Sequence, residues 1–270
     1  MEHTLIGNFR VHSGFHSRFL KSDRDVIVYL PPGYEDSPDR RYPVCYLHDG
    51  QNLFDAATAF LGREWGLDEL VEQMIRDGEI EPLILAGIYN TGEKRIDEHT
   101  HIRDRNGRGG LAGKYGRLIV EELKPMIDRE YRTWPNAENT GLGGSSLGGL
   151  ASLYIGFRHP MAFGKLIVMS PSLWWAQRDI LHCLRTRAKQ PQQKIWLDVG
   201  ACEGTDPGSC VQDARDLRDL LLSRQWILDG SLKFVEEEGA EHIETAWGRR
   251  MREALRFLFP NAARFDGNVP

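Results

Sequence analysis

Short continuous apolar runs alternate along this chain with longer stretches whose apolar positions recur every three to four residues. The first pattern predicts strands buried on both faces, the second amphipathic helices, and their alternation predicts an α/β fold with a mostly parallel central sheet and helices on both faces. The clearest buried runs are residues 43–47 (Pro-Val-Cys-Tyr-Leu) and 83–88. Residues 5–11 and 26–30 are strand-like as well, the second closed by Pro31-Pro32-Gly33, and they are expected to pair as an antiparallel edge. Strands are further predicted at 140–143, 165–169, 194–199 and 232–235. Helices are predicted at 67–76, at 114–131 with a kink at Pro125, and at 147–157, 178–187, 211–225 and 244–259. Residues 1–260 read as one domain and 261–270 as a flexible tail. Two long irregular segments, 48–62 and 89–113, interrupt the order, and loops of that length are usually functional or disordered.

The chain has 270 residues, enough for a sizeable core. Its formal net charge is −5, with no basic stripe, so nucleic acid is not an expected partner. No run approaches eighteen apolar residues and no basic-then-apolar leader opens the chain, so no membrane partner is expected and the reading is cytoplasmic. Cys45, Cys183, Cys202 and Cys210 lack metal-ligand spacing and read as free thiols, with a Cys202–Cys210 loop closure left open. Oligomeric state is open too, a homo-oligomer being compatible with the sequence.

Candidate chemistry centres on Gly144-Ser145-Ser146-Leu147-Gly148-Gly149, a Gly-x-Ser-x-Gly pattern between a short strand and an apolar helix. A serine hydroxyl is a poor nucleophile, and a tight strand-to-helix turn exposes its Oγ to a base. A Cβ at 144 or 148 is expected to collide with a neighbouring strand or helix, and Gly149 to let the helix pack closely on the sheet. A base and an orienting acid should follow in the order Ser, acid, His, from loops after later strands. Glu203 follows the strand at 194–199 and is favoured, with Asp206 as rival, while Asp198 lies within the strand. His242, after the last strand and before the last helix, is the candidate base. His159 and His182 read as structural, and His48 as a strand-end histidine fixed by neighbouring Asp49.

A tetrahedral intermediate also needs two backbone N–H donors. One is expected from Leu147, the other from Gly50 or Gln51 after the strand at 43–47. The second long loop holds Asp97, His99, His101 and Asp104, whose spacing matches no defensible ligand set; a solvated lid or an oligomer contact is the preferred account.

With these pieces in place, the chain resembles the putative-esterase family of the α/β-hydrolase superfamily, which includes feruloyl, acetyl-xylan and enterochelin-type esterases and esterase D. The resemblance runs from about Val26 to Phe259. It is carried by Tyr46-Leu47-His48-Asp49-Gly50-Gln51-Asn52-Leu53-Phe54-Asp55, by Gly144 to Gly149, by Met169-Ser170-Pro171-Ser172-Leu173-Trp174-Trp175, and by Gly239-Ala240-Glu241-His242 with Trp247 and Arg250. It implies a serine carboxylic-ester hydrolase with Ser146 as nucleophile, His242 as base and Glu203 as its partner. It also places the Trp174-Trp175 pair beside the nucleophile, one of the two forming an aromatic pocket wall or else packing in the core, with Asn90 and Arg95 facing the active site. Arg95 would pair there with a substrate carboxylate or hold the lid through Asp97 or Glu98. No cofactor or metal is required by that chemistry. The expected substrate is a small-molecule or carbohydrate-linked ester, short-chain or aromatic. An acyltransferase using the same residues and a non-catalytic binding protein are the competing readings.

Overall fold

The computed structural model describes residues 2–186 and 193–261. Each predicted strand is present, and all eight form one sheet. They are β1 (Asn8–Ser17), β2 (Ser22–Leu30), β3 (Val44–His48), β4 (Ile84–Ile88), β5 (Thr140–Ser145), β6 (Lys165–Met169), β7 (Lys194–Gly200) and β8 (Leu232–Glu237), in the order β1-β2-β4-β3-β5-β6-β7-β8. The β1–β2 and β2–β4 pairings are antiparallel and every other pairing is parallel. This is the fold of the α/β-hydrolase type.

The continuous apolar runs are explained by burial on both faces. In β3, Val44 and Tyr46 join one core layer while Cys45 and Leu47 join the other; Leu166 and Val168 alternate in the same way with Ile167 and Met169 in β6. Helices α1 (Leu67–Arg76) and α8 (Glu244–Leu258) cover one face through Leu67, Val71, Met74, Met251 and Leu255. The opposite face is covered by α3 (Ala112–Arg117), α4 (Lys124–Glu130), α5 (Leu147–Arg158), α6 (Asp179–Arg185) and α7 (Pro207–Ser223).

Several boundaries depart from the sequence expectation, β2 beginning at Ser22 rather than 26 and α7 at Pro207 rather than 211 among them. β1 begins and ends later than 5–11, because the backbone amides of Thr4 and Ile6 are held by the carboxylates of Asp55 and Asp68, while polar residues up to Ser17 are kept extended by pairing with β2. The kink expected at Pro125 takes the form of a π-helical stretch, Leu118–Leu123, just ahead of it; that wider winding accommodates the missing N–H and the ring of Pro125 in the first turn of α4. The segment 89–113 is not irregular throughout, since it holds the short helix α2 (Arg95–His99), and 48–62 holds 3₁₀ turns at Gly50–Asn52 and Phe60–Gly62. The tail expected at 261–270 lies outside the described residues beyond Asn261.

Parallel strands put their carboxyl ends on one edge of the sheet, where ligands bind in open α/β folds. Asp49, Asn90, Ser146, Ser170 and Glu203 follow β3, β4, β5, β6 and β7, and His242 follows β8. Residues scattered over the sequence are thereby gathered on one rim.

Candidate active site

Ser146 stands at the β5-to-α5 turn with φ 57° and ψ −122°, a conformation that L-residues rarely adopt. The strain is held by its neighbours: Ser146 N–H donates to Met169 O at 3.0 Å, and Ser172 N–H donates to Ser146 O at 3.0 Å. A Cβ on Gly149 would lie 2.7 Å from Met169 O, so glycine is what allows α5 to start this close to β6. Gly144 and Gly148 instead face the His48 side chain, with Cβ positions 3.1 and 3.2 Å from its atoms, rather than a strand or helix alone. Ser146 Oγ lies 3.2 Å from Ser172 Oγ and makes no direct hydrogen bond to His242 among the described residues.

His242 Nδ1 is 2.9 Å from Glu203 Oε2, and its ring stands edge-on to Trp247 with centroids 4.8 Å apart. Glu203 itself is buried, and its other oxygen accepts from Gly200 N–H at 2.7 Å and from the Ser170 hydroxyl. Gly200 is required here, as a Cβ would sit 2.8 Å from Glu203 Oε1 and 2.4 Å from Ala240 O. Burial alone would raise the Glu203 pKa, but the hydrogen bonds from His242 and Ser170, the His242 charge and the Gly200 amide together hold it below the usual glutamate value. An ionised carboxylate only accepts, so the shared proton sits on Nδ1 and Nε2 is the basic nitrogen.

Of the other two carboxylates, the rival Asp206 flanks the start of α7, where its carbonyl accepts from Ser209. Asp198 is fully buried, accepts from Trp196 Nε1 at 2.6 Å and lies 3.3 Å from Arg250 Nε; burial, opposed by Arg250, pushes it up to about 6. Neither makes a hydrogen bond or ion pair with His242 among the described residues.

Two cavities meet at Ser146 and His242. The larger, about 570 Å³, is lined by Gln51, Phe60, Leu61, Arg63, Asn90 and Arg95 among others. The smaller, about 220 Å³, is bounded by Ser172, Trp174, Glu203 and Cys210. Trp174 is 58% exposed and forms part of that wall, whereas Trp175 is buried and its Nε1 donates to Ile102 O. Leu147 opens α5 directly behind the serine, and Gln51 faces the larger cavity. Gly50 packs against β4, where a Cβ would meet the Gly87 backbone at 2.5 Å; its close approach is to the sheet and not to the cavity.

Arg95 reaches neither Asp97 nor Glu98. It forms a two-pronged pair with Asp49, Nε and Nη2 each 2.7 Å from a carboxylate oxygen, and Asn90 Nδ2 donates to the same carboxylate at 2.7 Å. Burial would raise Asp49, yet the Arg95 charge and these bonds hold it well below the usual aspartate value. The loop at 49–52 is thus braced from β4 and α2, with Asn90 N–H also donating to Gln51 Oε1 at 3.2 Å. Asp49 does not fix His48 as expected: His48 Nδ1 pairs with Tyr115 OH at 3.0 Å.

The four loop residues with ligand-type side chains disperse. Asp97 accepts from Gly109 N–H, Asp104 from Asn106 and Arg108, His101 pairs with Asp179, and His99 is buried against His48 and Tyr115. No cluster of three or more metal-ligating side chains occurs among the described residues. The four cysteines are free thiols, so Cys202 and Cys210 do not close a loop. No helix among the described residues is long and apolar enough to cross a membrane.

Sequence reasoning quoted Ser170 and Ser172 within a motif but gave them no role, and it missed Phe60 and Leu61. Ser170 and Ser172 carried an available signal, because they directly follow β6, the neighbour of the nucleophile strand, at the sheet's carboxyl edge. Phe60 and Leu61 carried none, being isolated apolar residues in a loop.

Comparison with known proteins identifies the family. The Esterase family, described as "Putative esterase", matches residues 17–258. The ferri-bacillibactin esterase BesA of Bacillus subtilis is 30% identical over 245 residues, 82% of this chain and 80% of that protein. The endo-1,4-beta-xylanase/feruloyl esterase of Xylanibacter ruminicola is 23% identical over 86% of this chain, which spans 29% of that longer protein. Among solved structures, the BES protein from Bacillus cereus superposes with a TM-score of 0.77 at 26% identity, covering 96% of this chain and 97% of that one. A serine on a strained strand-to-helix turn, set in this sheet and matched over nearly its whole length, places the chain in the putative-esterase family as a carboxylic-ester hydrolase.

Proposed function

We propose that the chain hydrolyses its ester through a Ser146–His242–Glu203 triad and an acyl-enzyme. The observation that carries this reading is the 2.9 Å His242–Glu203 contact on the wall of two cavities that both contain Ser146. Ser146 Oγ rotates from Ser172 toward His242 Nε2, attacks the ester carbonyl and gives up its proton to that nitrogen. The backbone N–H groups of Leu147 and Gln51 stabilise the oxyanion, with Gly50 holding the loop against β4. Collapse breaks the bond to the alcohol, which leaves with the proton from Nε2. A water then attacks the acyl-enzyme, its proton passing to Nε2 and on to Ser146 as the acid departs. Asn90 and Arg95 serve by bracing the loop through Asp49 rather than by binding a substrate carboxylate.

The unequal cavities suit an ester with one bulky and one small substituent on either side of the carbonyl. The names of BesA and of the feruloyl esterase relative direct the choice to siderophore lactones and aromatic acyl esters, with simple short-chain esters as generic substrates. The one sheet running through the described residues supports a single domain over 1–260, and the free thiols support a reducing, cytoplasmic setting. The test is initial rate on p-nitrophenyl esters of rising acyl length, methyl ferulate and a catecholate trilactone, beside Ser146→Ala. Hydrolysis that vanishes in the variant is expected, with losses on the order of 10⁶ in kcat. Full activity in Ser146→Ala would overturn the mechanism.

A further inference from the structure

Ser170, which lies in the Met169–Trp175 motif without a role of its own there, is buried at the carboxyl end of β6 with a positive φ of 41°. Its Oγ accepts from Trp247 Nε1 at 3.0 Å and from Arg250 Nη2 at 2.8 Å, and reaches Glu203 Oε1 at 2.5 Å. An indole N–H and a guanidinium can only donate, while a hydroxyl has two lone pairs and one proton. Both lone pairs are therefore taken, and the proton has a single direction left, toward Glu203 Oε1. Gly200 N–H donates to the same oxygen at 2.7 Å, so Oε1 is saturated from the protein side and Oε2 is left to His242 Nδ1.

We propose that Ser170 is a positioning residue of the hydrolytic reaction: oriented by Trp247 and Arg250, its hydroxyl clamps Glu203 so that the second carboxylate oxygen faces His242. The inference rests on the triad reading, since Ser170 acts through Glu203 alone. Arg250 Nη2 lies 3.4 Å from Glu203 Oε1 as well, and Arg250 Nη1 is 3.5 Å from Glu237 Oε2, so the clamp is anchored in a charged frame rather than in solvent. The strained φ at Ser170 is consistent with a side chain held where the site needs it.

The test is a double-mutant cycle between Ser170→Gly and Glu203→Gln, with thermal melts of every variant. Glycine is chosen because it takes a positive φ without strain. Ser170→Gly alone should lower kcat at least about tenfold, the loss of a hydrogen bond to a charged group, with KM within about twofold. In the Glu203→Gln background the same change should lower kcat no further, because the carboxylate it positions is gone. An equal loss in both backgrounds, or a folded Ser170→Gly with wild-type kcat, overturns the proposal. If the glycine variant does not fold, Ser170→Cys, whose S–H is a weaker donor, runs the same cycle at smaller amplitude: a loss confined to the Glu203 background supports the clamp, and an equal loss in both overturns it. A Glu203→Gln enzyme with unchanged kcat would instead refute the acid assignment itself, independently of Ser170.

Discussion

Two buried polar clusters flank the nucleophile turn, one under β6 and β7 and one under β3, and they solve burial in opposite ways. Beside β7, Glu203 is charged and surrounded by donors: His242, Ser170 and Gly200, with Arg250 close by. Beside β3, His48 and His99 are buried with little to bond to; His48 Nε2 and both nitrogens of His99 have no hydrogen-bond partner among the described residues. Burial drives His48 down to about 4, against the pull of Asp49, and His99 well below the usual histidine value. One cluster keeps a charge by bonding it fully; the other keeps its groups neutral. The triad proposed above needs an ionised acid at His242, and the satisfied cluster is the one suited to provide it. The neutral cluster fills space, with the His48 ring packed against Gly144 and Gly148 behind the serine.

The sharpest way to break the comparison is to neutralise the charged side. Glu203→Gln should lower kcat by about 10³–10⁴ with little change in KM, measured by steady-state hydrolysis of a p-nitrophenyl ester. Arg250→Met should leave two buried carboxylates, Asp198 and Glu203, without their cation and cost about 3–5 kcal/mol of stability, read as a lowered urea midpoint. Arg250→Lys should recover part of it.

The neutral side is exposed by acid. Unfolded histidine takes up a proton below about 6.5, whereas buried His99 stays neutral further down, so over that window the unfolded state binds more protons and acid destabilises the fold. Each such histidine contributes about 1.4 kcal/mol per pH unit below 6.5. Asp198 opposes this between about 6 and the ordinary aspartate range, because its folded carboxyl takes up the proton first. The measurement is accordingly a difference: His99→Phe should gain on the wild type as pH falls from 7 to 5, by about 2 kcal/mol, and stay level with its own pH 7 offset above 7. The smallest effect is expected from Tyr115→Phe, which removes the hydroxyl on His48 Nδ1: about 1 kcal/mol of stability, with kcat within about twofold.

The strands were legible in the sequence because burial on both faces makes them continuous apolar runs; β3 and β6 could be read almost to the residue. The edge strand β1 was not, since an edge ribbon is half exposed and its bounds are set by what β2 offers. That Ser146, His242 and Glu203 would meet on one rim could be expected because chain order in this fold constrains where they fall. The partner of Arg95 could not: Asp49 is 46 residues away, and sequence offered only the nearby Asp97 and Glu98. Ser170 escaped for a similar reason, its three side-chain partners coming from β7's loop and from α8.

The two amide bonds that join Ser146 to Met169 and Ser172 carry a consequence for protein engineering. They continue the β5–β6 ladder past the last paired residues, Ser145 and Met169, so Ser146 is stitched to the loop after β6 by the same kind of bonds that join strand to strand. Substrate range is commonly altered by exchanging loops. In this scaffold the segment from Ser170 to Trp175 is a poor place to do so, because a change of length there would pull directly on the serine backbone. The turn around Asp104 to Arg108, closed by its own hydrogen bonds and with none to the Ser146 backbone, is the better place for such an exchange.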